Sequence, residues 1–269
     1  MRVLLIIFLS GTFIFSSCNQ EDEDLSAGDL QLAFEHFVDG NPAEFDTLIY
    51  KNEAGNTYEI TNIQWFISDI SLIDEEGNSF LLDGDDWIHY IDTDIPSSLT
   101  WYINEKVPAG TYSSIRFVFG IVGEKNEPNR FTDPPENNML WPYPMGGEMG
   151  GYHYMKLNGF WLDLNEERTP FNFHLGVGQI YDENGEVTEF VQNWVEYNLD
   201  EPGFVMKAGE MLKATLRMNI ENWFKNPHTY DHDLYGSRIM NNQEAMNKIK
   251  ENGVDVFTLS INKNNEGKK

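Results

Sequence analysis

The chain has 269 residues, with 44 Asp or Glu against 18 Lys or Arg, for a formal net charge of −26 at pH 7. That balance excludes nucleic-acid binding or adhesion to an anionic lipid surface through electrostatics, and suits cationic ligands and high solubility. Seven Trp, 12 Tyr and 18 Phe provide one large aromatic core, and a single cysteine leaves no intrachain disulfide.

Residues 1–17 carry one positive charge at Arg2, a wholly apolar run from Val3 to Leu9, and the small residues Ser16 and Ser17 directly before Cys18. A stretch so built is a secretory signal peptide, too short for a stable membrane span. Small residues followed at once by Cys match a bacterial lipobox. Cys18 is therefore the expected lipidation site, and acyl chains there would hold the protein to a membrane. Residues 18–29, with NQEDED after the cysteine, are too acidic and too poor in apolar side chains to pack, and read as a solvated tether. These features predict an outer-membrane lipoprotein facing the periplasm or the cell surface.

From Leu30 the chain alternates. Leu32, Phe34, His36 and Val38 share one apolar face, which puts His36 inward. Glycine-centred turns at 52–56 (NEAGN), 74–78 (DEEGN) and 182–186 (DENGE) separate β-rich runs and predict hairpins. Strands are expected at 57–73, with a break near Ile63, then at 79–82, 87–91, 111–121, 151–157, 171–177, 187–199 and 211–220. His89 shares an apolar face with Trp87 and Ile91, and His153 with Met155 and Leu157. His174 lies opposite Phe171, Phe173 and Leu175, with Gly176 leaving room for an approaching group. One helix is predicted near the end, capped by Asn241 with Glu244 three residues on, and terminated at Asn252-Gly253. A last strand at 254–261 follows, then a polar tail at 263–269. Short strands joined by polar turns make the fold all-β: an antiparallel β-sandwich over 30–262 with long inserted loops and one short C-terminal helix.

The longest connection, 124–150, feeds the stretch NMLWPYPMGGEMGGYHYMKLNG at 138–159, which crowds Met139, Met145, Met149, Met155 and His153 around Trp141. Long ordered loops on β scaffolds carry function, and methionine and imidazole are soft donors. The stretch therefore reads as one wall of a metal pocket. With no free thiolate in the folded domain, such a site must use His, Met, carboxylate or a modified side chain. His228 and His232 have a spacing that chelates on a helix, but Pro227 and the surrounding Asp residues indicate a loop. No nucleophile elbow, phosphate loop or HExxH pattern occurs, so nothing points to catalysis, and the chain reads as a binding protein and not an enzyme.

The runs AFEHFVDG, ITNIQWFISDISL, NMLW, GYHYMKLNG and FNFHLG together resemble the MbnP-like copper-binding family, whose members partner a di-haem peroxidase in methanobactin operons. The resemblance covers nearly the whole mature chain and is nearest to a lipoprotein branch. It implies a β-sandwich that binds one copper ion through histidines and through a tryptophan oxidised to kynurenine by the peroxidase. Carried onto this sequence, it makes Trp141 the residue to be modified, with His36, His153 and His174 as ligands and His89 in reserve. Imidazole suits copper, and a kynurenine amine is a better donor than an indole nitrogen. Typical members have a second Trp two residues after the first. This chain has Tyr143 there, followed by PMGGEM, whose Met145 and Met149 are alternative thioether donors or pliable packing. The function expected is copper storage, sensing or delivery outside the cytoplasm. The alternative is a surface adhesion or glycan-capture module, with Trp101, Trp141 and Tyr143 stacking on a sugar.

Overall fold

The structure is a computed structural model that describes residues 26–84, 86–141 and 150–262. The signal peptide, Cys18, Tyr143, Met145, Met149 and the tail at 263–269 lie outside the described residues, as does all of the tether before Ser26. In chain order the strands are β1 (Ala27–Val38), β2 (Asn41–Pro42), β3 (Tyr50–Lys51), β4 (Thr57–Asp74), β5 (Ser79–Leu81), β6 (Ile88–Asp92), β7 (Thr100–Tyr102) and β8 (Val107–Pro108). They continue with β9 (Gly110–Phe119), β10 (Met155–Leu162), β11 (Arg168–Leu175), β12 (Gly178–Tyr181), β13 (Val187–Val191), β14 (Val195–Met206), β15 (Met211–Asn219) and β16 (Phe257–Asn262). Two short helices, α1 (His232–Tyr235) and α2 (Gln243–Asn252), come late in the chain.

Two sheets face each other across the core, as the alternation predicts. One is six-stranded, ordered β16-β15-β1-β2 with β7 and β8 also on β1; the other is eight-stranded, ordered β11-β10-β4-β9-β14 with β3, β5 and β6 also on β4. β12 and β13 form a separate hairpin. The alternating residues Leu30, Leu32, Phe34, His36 and Val38 all point inward and are buried. All three predicted turns close hairpins, with Asn52 N–H donating to Asn56 O at 3.1 Å, Asp74 to Asn78 at 3.0 Å and Asp182 to Glu186 at 2.9 Å. The irregularity expected near Ile63 is a bulge: Asn158 opposes Asn62 while Gly159 opposes Ile60, which leaves Thr61 unpaired against β10.

In several places the structure departs from the local sequence pattern. β1 and β15 run parallel, from Asp29 opposite Met211 to Phe37 opposite Asn219, so this sheet is mixed and not wholly antiparallel. Period-2 alternation tells which face is buried but not which way a neighbour runs. The expected strand at 187–199 is two, β13 and β14, interrupted at 192–194. Strand β10 begins at Met155, which leaves His153 in the loop ahead of it. The helix cap is Asn242, whose side chain accepts from Ala245 N–H, and Glu244 pairs with Lys248 at i,i+4 in place of closing a capping box. The helix still buries its expected stripe through Ala245, Met246 and Ile249.

Candidate metal centre

The loop before β10 folds back on the segment ahead of the undescribed residues. Trp141 N–H donates to Gly151 O at 2.9 Å and His153 N–H donates to Met139 O at 2.7 Å, so 139–141 and 151–153 form a two-stranded clip around an isolated bridge between Leu140 and Tyr152. A third backbone bond, from Tyr154 N–H to Leu175 O at 2.7 Å, ties the clip to the end of β11. These three bonds bring the side chains of Trp141, His153 and His174 to one place. The indole of Trp141 and the ring of His153 have centroids 4.6 Å apart at 65°, and His153 and His174 have theirs 5.0 Å apart at 86°.

Gly176 makes the packing of Trp141 feasible. A Cβ there would lie 2.2 Å from Cε3 of the indole, and no side chain fits at that distance. The room that the sequence left beside His174 is taken by the tryptophan itself, which is only 3% exposed.

The imidazole hydrogen bonds define which nitrogens are free. Nδ1 of His153 lies 2.9 Å from the carbonyl of Met139, an acceptor only, so Nδ1 carries the proton and Nε2 the lone pair. Nε2 of His174 lies 2.8 Å from Oδ1 of Asn158. Asn158 is oriented by its own Nδ2, which donates to Oδ1 of Asn62 at 2.8 Å. Nε2–H of His174 is therefore the donor, and the lone pair sits on Nδ1. Both lone-pair atoms, Nε2 of His153 and Nδ1 of His174, are buried without a hydrogen-bond partner. A buried polar atom left unpaired costs about 1–3 kcal/mol, so two on adjoining rings form an arrangement that a shared ligand would relieve. The donating nitrogens are anchored as metal-binding histidines usually are, on a carbonyl and an amide.

Electrostatics keep these rings neutral. Burial lowers the His153 pKa well below its ordinary value, reinforced by the neighbouring His174 and by Lys156. Burial, Lys156 and Arg238 push His174 down to about 3. Lys156 faces His174 across β10 and β11 and donates its ammonium to the carbonyl of Asn138. Neutral imidazole is the ligating form. No group of three or more His, Cys, Asp or Glu placed to hold a metal ion exists among the described residues, and the ring that packs on His153 besides His174 is the indole of Trp141.

The other histidines lie elsewhere. Nε2 of His36 accepts the indole N–H of Trp65 at 3.0 Å, which places its remaining proton on Nδ1 and leaves it no free lone pair. His89 is stacked between Trp101 and Phe34 with Nε2 on the carbonyl of Ser98 at 2.9 Å. His228 pairs with Glu251, while His232 is enclosed by aromatic rings, so the HxxxH pair does not converge. Trp101, at 5% exposed, and Trp141 offer no open faces for a sugar. Sequence reasoning missed Asn158, Asn62 and the carbonyl of Met139. Asn158 left a signal, because its alternation in β10 puts it on the face that carries Lys156, the cross-strand partner of His174.

A family model described as MbnP matches residues 27–246. The chain belongs to the MbnP family. Among solved structures it is similar to MbnP from Methylosinus trichosporium, with a TM-score of 0.55 and 10% identity over 88% of this chain and 99% of that one. At that identity the likeness is one of fold. No curated protein matches the chain. The MbnP match spans β1 to α2 and therefore includes Trp141, His153, His174 and both supporting asparagines.

Proposed function

We propose that this MbnP-family chain binds one copper ion outside the cytoplasm, anchored through a lipid on Cys18, and stores, senses or delivers it without catalytic turnover. The observation that carries this reading is the pair of buried, unpartnered lone pairs on His153 and His174 beside Trp141. Neutral imidazoles suit copper and zinc alike. Two imidazoles with no third His, Cys, Asp or Glu among the described neighbours fall short of the closed tetrahedral set of structural zinc. The resemblance is to copper proteins. His153 and His174 would hold the ion, Asn158 and Met139 would orient them, and the metal would bring the soft Lewis acidity that imidazole donors match.

Trp141 supplies the third position after modification. An intact indole is a poor donor because its nitrogen lone pair belongs to the aromatic ring. Oxidative cleavage of the C2–C3 bond of the indole, with a di-haem peroxidase as partner and two equivalents of peroxide reduced to water, would give N-formylkynurenine, and hydrolytic loss of the formyl group as formate would then expose an aryl amine next to His153. Metal analysis of protein purified without an affinity tag tests the site. One copper per chain in the wild type, lost in both His153→Ala and His174→Ala, supports it; copper retained in either variant overturns it. The intact mass of the peptide containing residue 141 tests the modification, and unmodified tryptophan after co-expression with a cognate di-haem peroxidase would refute that step.

A further inference from the structure

The core holds a second paired arrangement of tryptophan and histidine. Trp65, fully buried on β4, donates its indole N–H to Nε2 of His36 on β1, across the sandwich, at 3.0 Å. From Trp65 a series of ring contacts leads outward. Phe34 stands edge-on to Trp65 with centroids 5.6 Å apart, and His89 stacks on Phe34 at 5.4 Å. Trp101 stacks on His89 at 4.9 Å and 6°, and Trp87 on Trp101 at 6.2 Å and 12°. Trp87 is 41% exposed, so the series joins solvent to the centre of the core. Its inner end adjoins the metal pocket in the sheet, since Trp65 is the direct cross-strand partner of Met155, two residues beyond His153.

The two buried indoles of this series differ in one respect. Nε1 of Trp101 is buried with no acceptor, whereas Nε1–H of Trp65 points at an imidazole lone pair. An indole that loses one electron becomes an N–H acid many orders of magnitude stronger than the neutral ring. At Trp101 nothing is placed to take the proton, so the hole stays a mobile cation; at Trp65 a base is already hydrogen-bonded. We propose that the rings from Trp87 to Trp65 form a one-electron relay whose inner terminus is a proton-coupled trap made by Trp65 and His36. A one-electron oxidant outside the protein, such as a high-potential metal centre, takes an electron through Trp87. Trp65 is oxidised by one electron, its Nε1–H bond breaks, and the proton moves to Nε2 of His36, leaving a neutral indolyl radical and an imidazolium. The buried charge is moved and not multiplied, and return of the electron sends the proton back. Burial holds the His36 pKa at about 4, so the ring is neutral at rest and its Nε2 lone pair is open to the proton once the indole is oxidised. The relay does not depend on copper binding.

Flash-quench oxidation of the folded mature chain with photogenerated tris(bipyridine)ruthenium(III), followed by transient absorption and electron paramagnetic resonance, tests this. The expected product is a long-lived neutral tryptophyl radical, formed more slowly in D2O. Trp65→Phe should abolish it. His36→Gln, which keeps a hydrogen-bond acceptor but not a base, should convert it to a radical cation. Trp87→Phe, a change at the outermost ring of the series, should remove most of the amplitude. A neutral radical of unchanged yield in Trp87→Phe, or unchanged protonation state in His36→Gln, would overturn the proposal.

Discussion

Gly176→Ala is the smallest change that reaches the candidate centre. The backbone at Gly176 is not in the left-handed region, so alanine meets no conformational strain there and the effect is purely steric. The new Cβ would lie 2.2 Å from Cε3, 2.4 Å from Cζ3 and 2.7 Å from Cδ2 of Trp141, where ordinary contact begins at 3.4 Å. The shortfall at the nearest atom is 3.4 − 2.2 = 1.2 Å. A displacement of that size cannot be absorbed by rotamer adjustment of a rigid bicycle packed against His153. Overpacking of this kind costs about 1–3 kcal/mol, offset by about 0.4–1 kcal/mol from the reduced freedom of the unfolded chain. A net loss lowers Tm by about 2–4 °C per kcal/mol in a domain of this size. Urea melts of wild type and variant measure the stability, and competition with a chelator of known copper affinity measures the site. Both should fall together. Wild-type stability with wild-type copper affinity would mean that the indole of residue 141 does not lie against Gly176, and the pocket as described would be wrong.

Asn158→Leu should lower copper affinity by about 10–100-fold, because His174 loses the acceptor that fixes its tautomer; chelator competition measures it, and unchanged affinity would show that the amide does not position the ring. His232 is fully buried with neither ring nitrogen hydrogen-bonded, its ring 4.4 Å from that of Phe171. His232→Phe removes unsatisfied polar atoms worth about 1–3 kcal/mol, so urea unfolding should show equal or greater stability; a large loss would point to an undetected partner. The same residue should shape the acid response. Burial depresses the His232 pKa from 6.5 to about 3 in the folded chain, so the unfolded state binds more protons between those values and stability falls as pH drops through that window. His232→Phe should flatten this slope by up to about 1.4 kcal/mol per pH unit, one proton's worth, and urea midpoints from pH 7 to pH 4 read it directly.

The layers of the sandwich were legible because alternation is local. Leu30 to Val38 and the three hairpin turns carry their structure in neighbouring residues, and the structure repeats them. Direction and pairing are not local, so the parallel neighbour of β1 left no trace in its own pattern. The histidines show the same division. Alternation placed His36 on the buried face of β1, and His153 is buried although it lies in the loop ahead of β10, but the pattern cannot say which rings meet there. His36 reaches across to Trp65, while His153 meets His174 through a backbone clip of three hydrogen bonds between segments far apart in sequence. Gly176 was visible as a gap beside His174, and the structure shows what fills it. Asn158 could have been found by asking what a histidine on the outer face of β11 would lean on across the sheet.

Copper binding at the proposed centre requires Nε2 of His153 and Nδ1 of His174 to aim their lone pairs at a common metal position beside residue 141. An anomalous-scattering map recorded at the copper edge from crystals of the copper-loaded protein tests it most directly. A single strong peak bonded to those two nitrogens is expected, with Nδ1 of His153 still on the carbonyl of Met139 and Nε2 of His174 still on Asn158. A peak at His36, His89 or a surface carboxylate, with the 153 and 174 rings unligated, would contradict it.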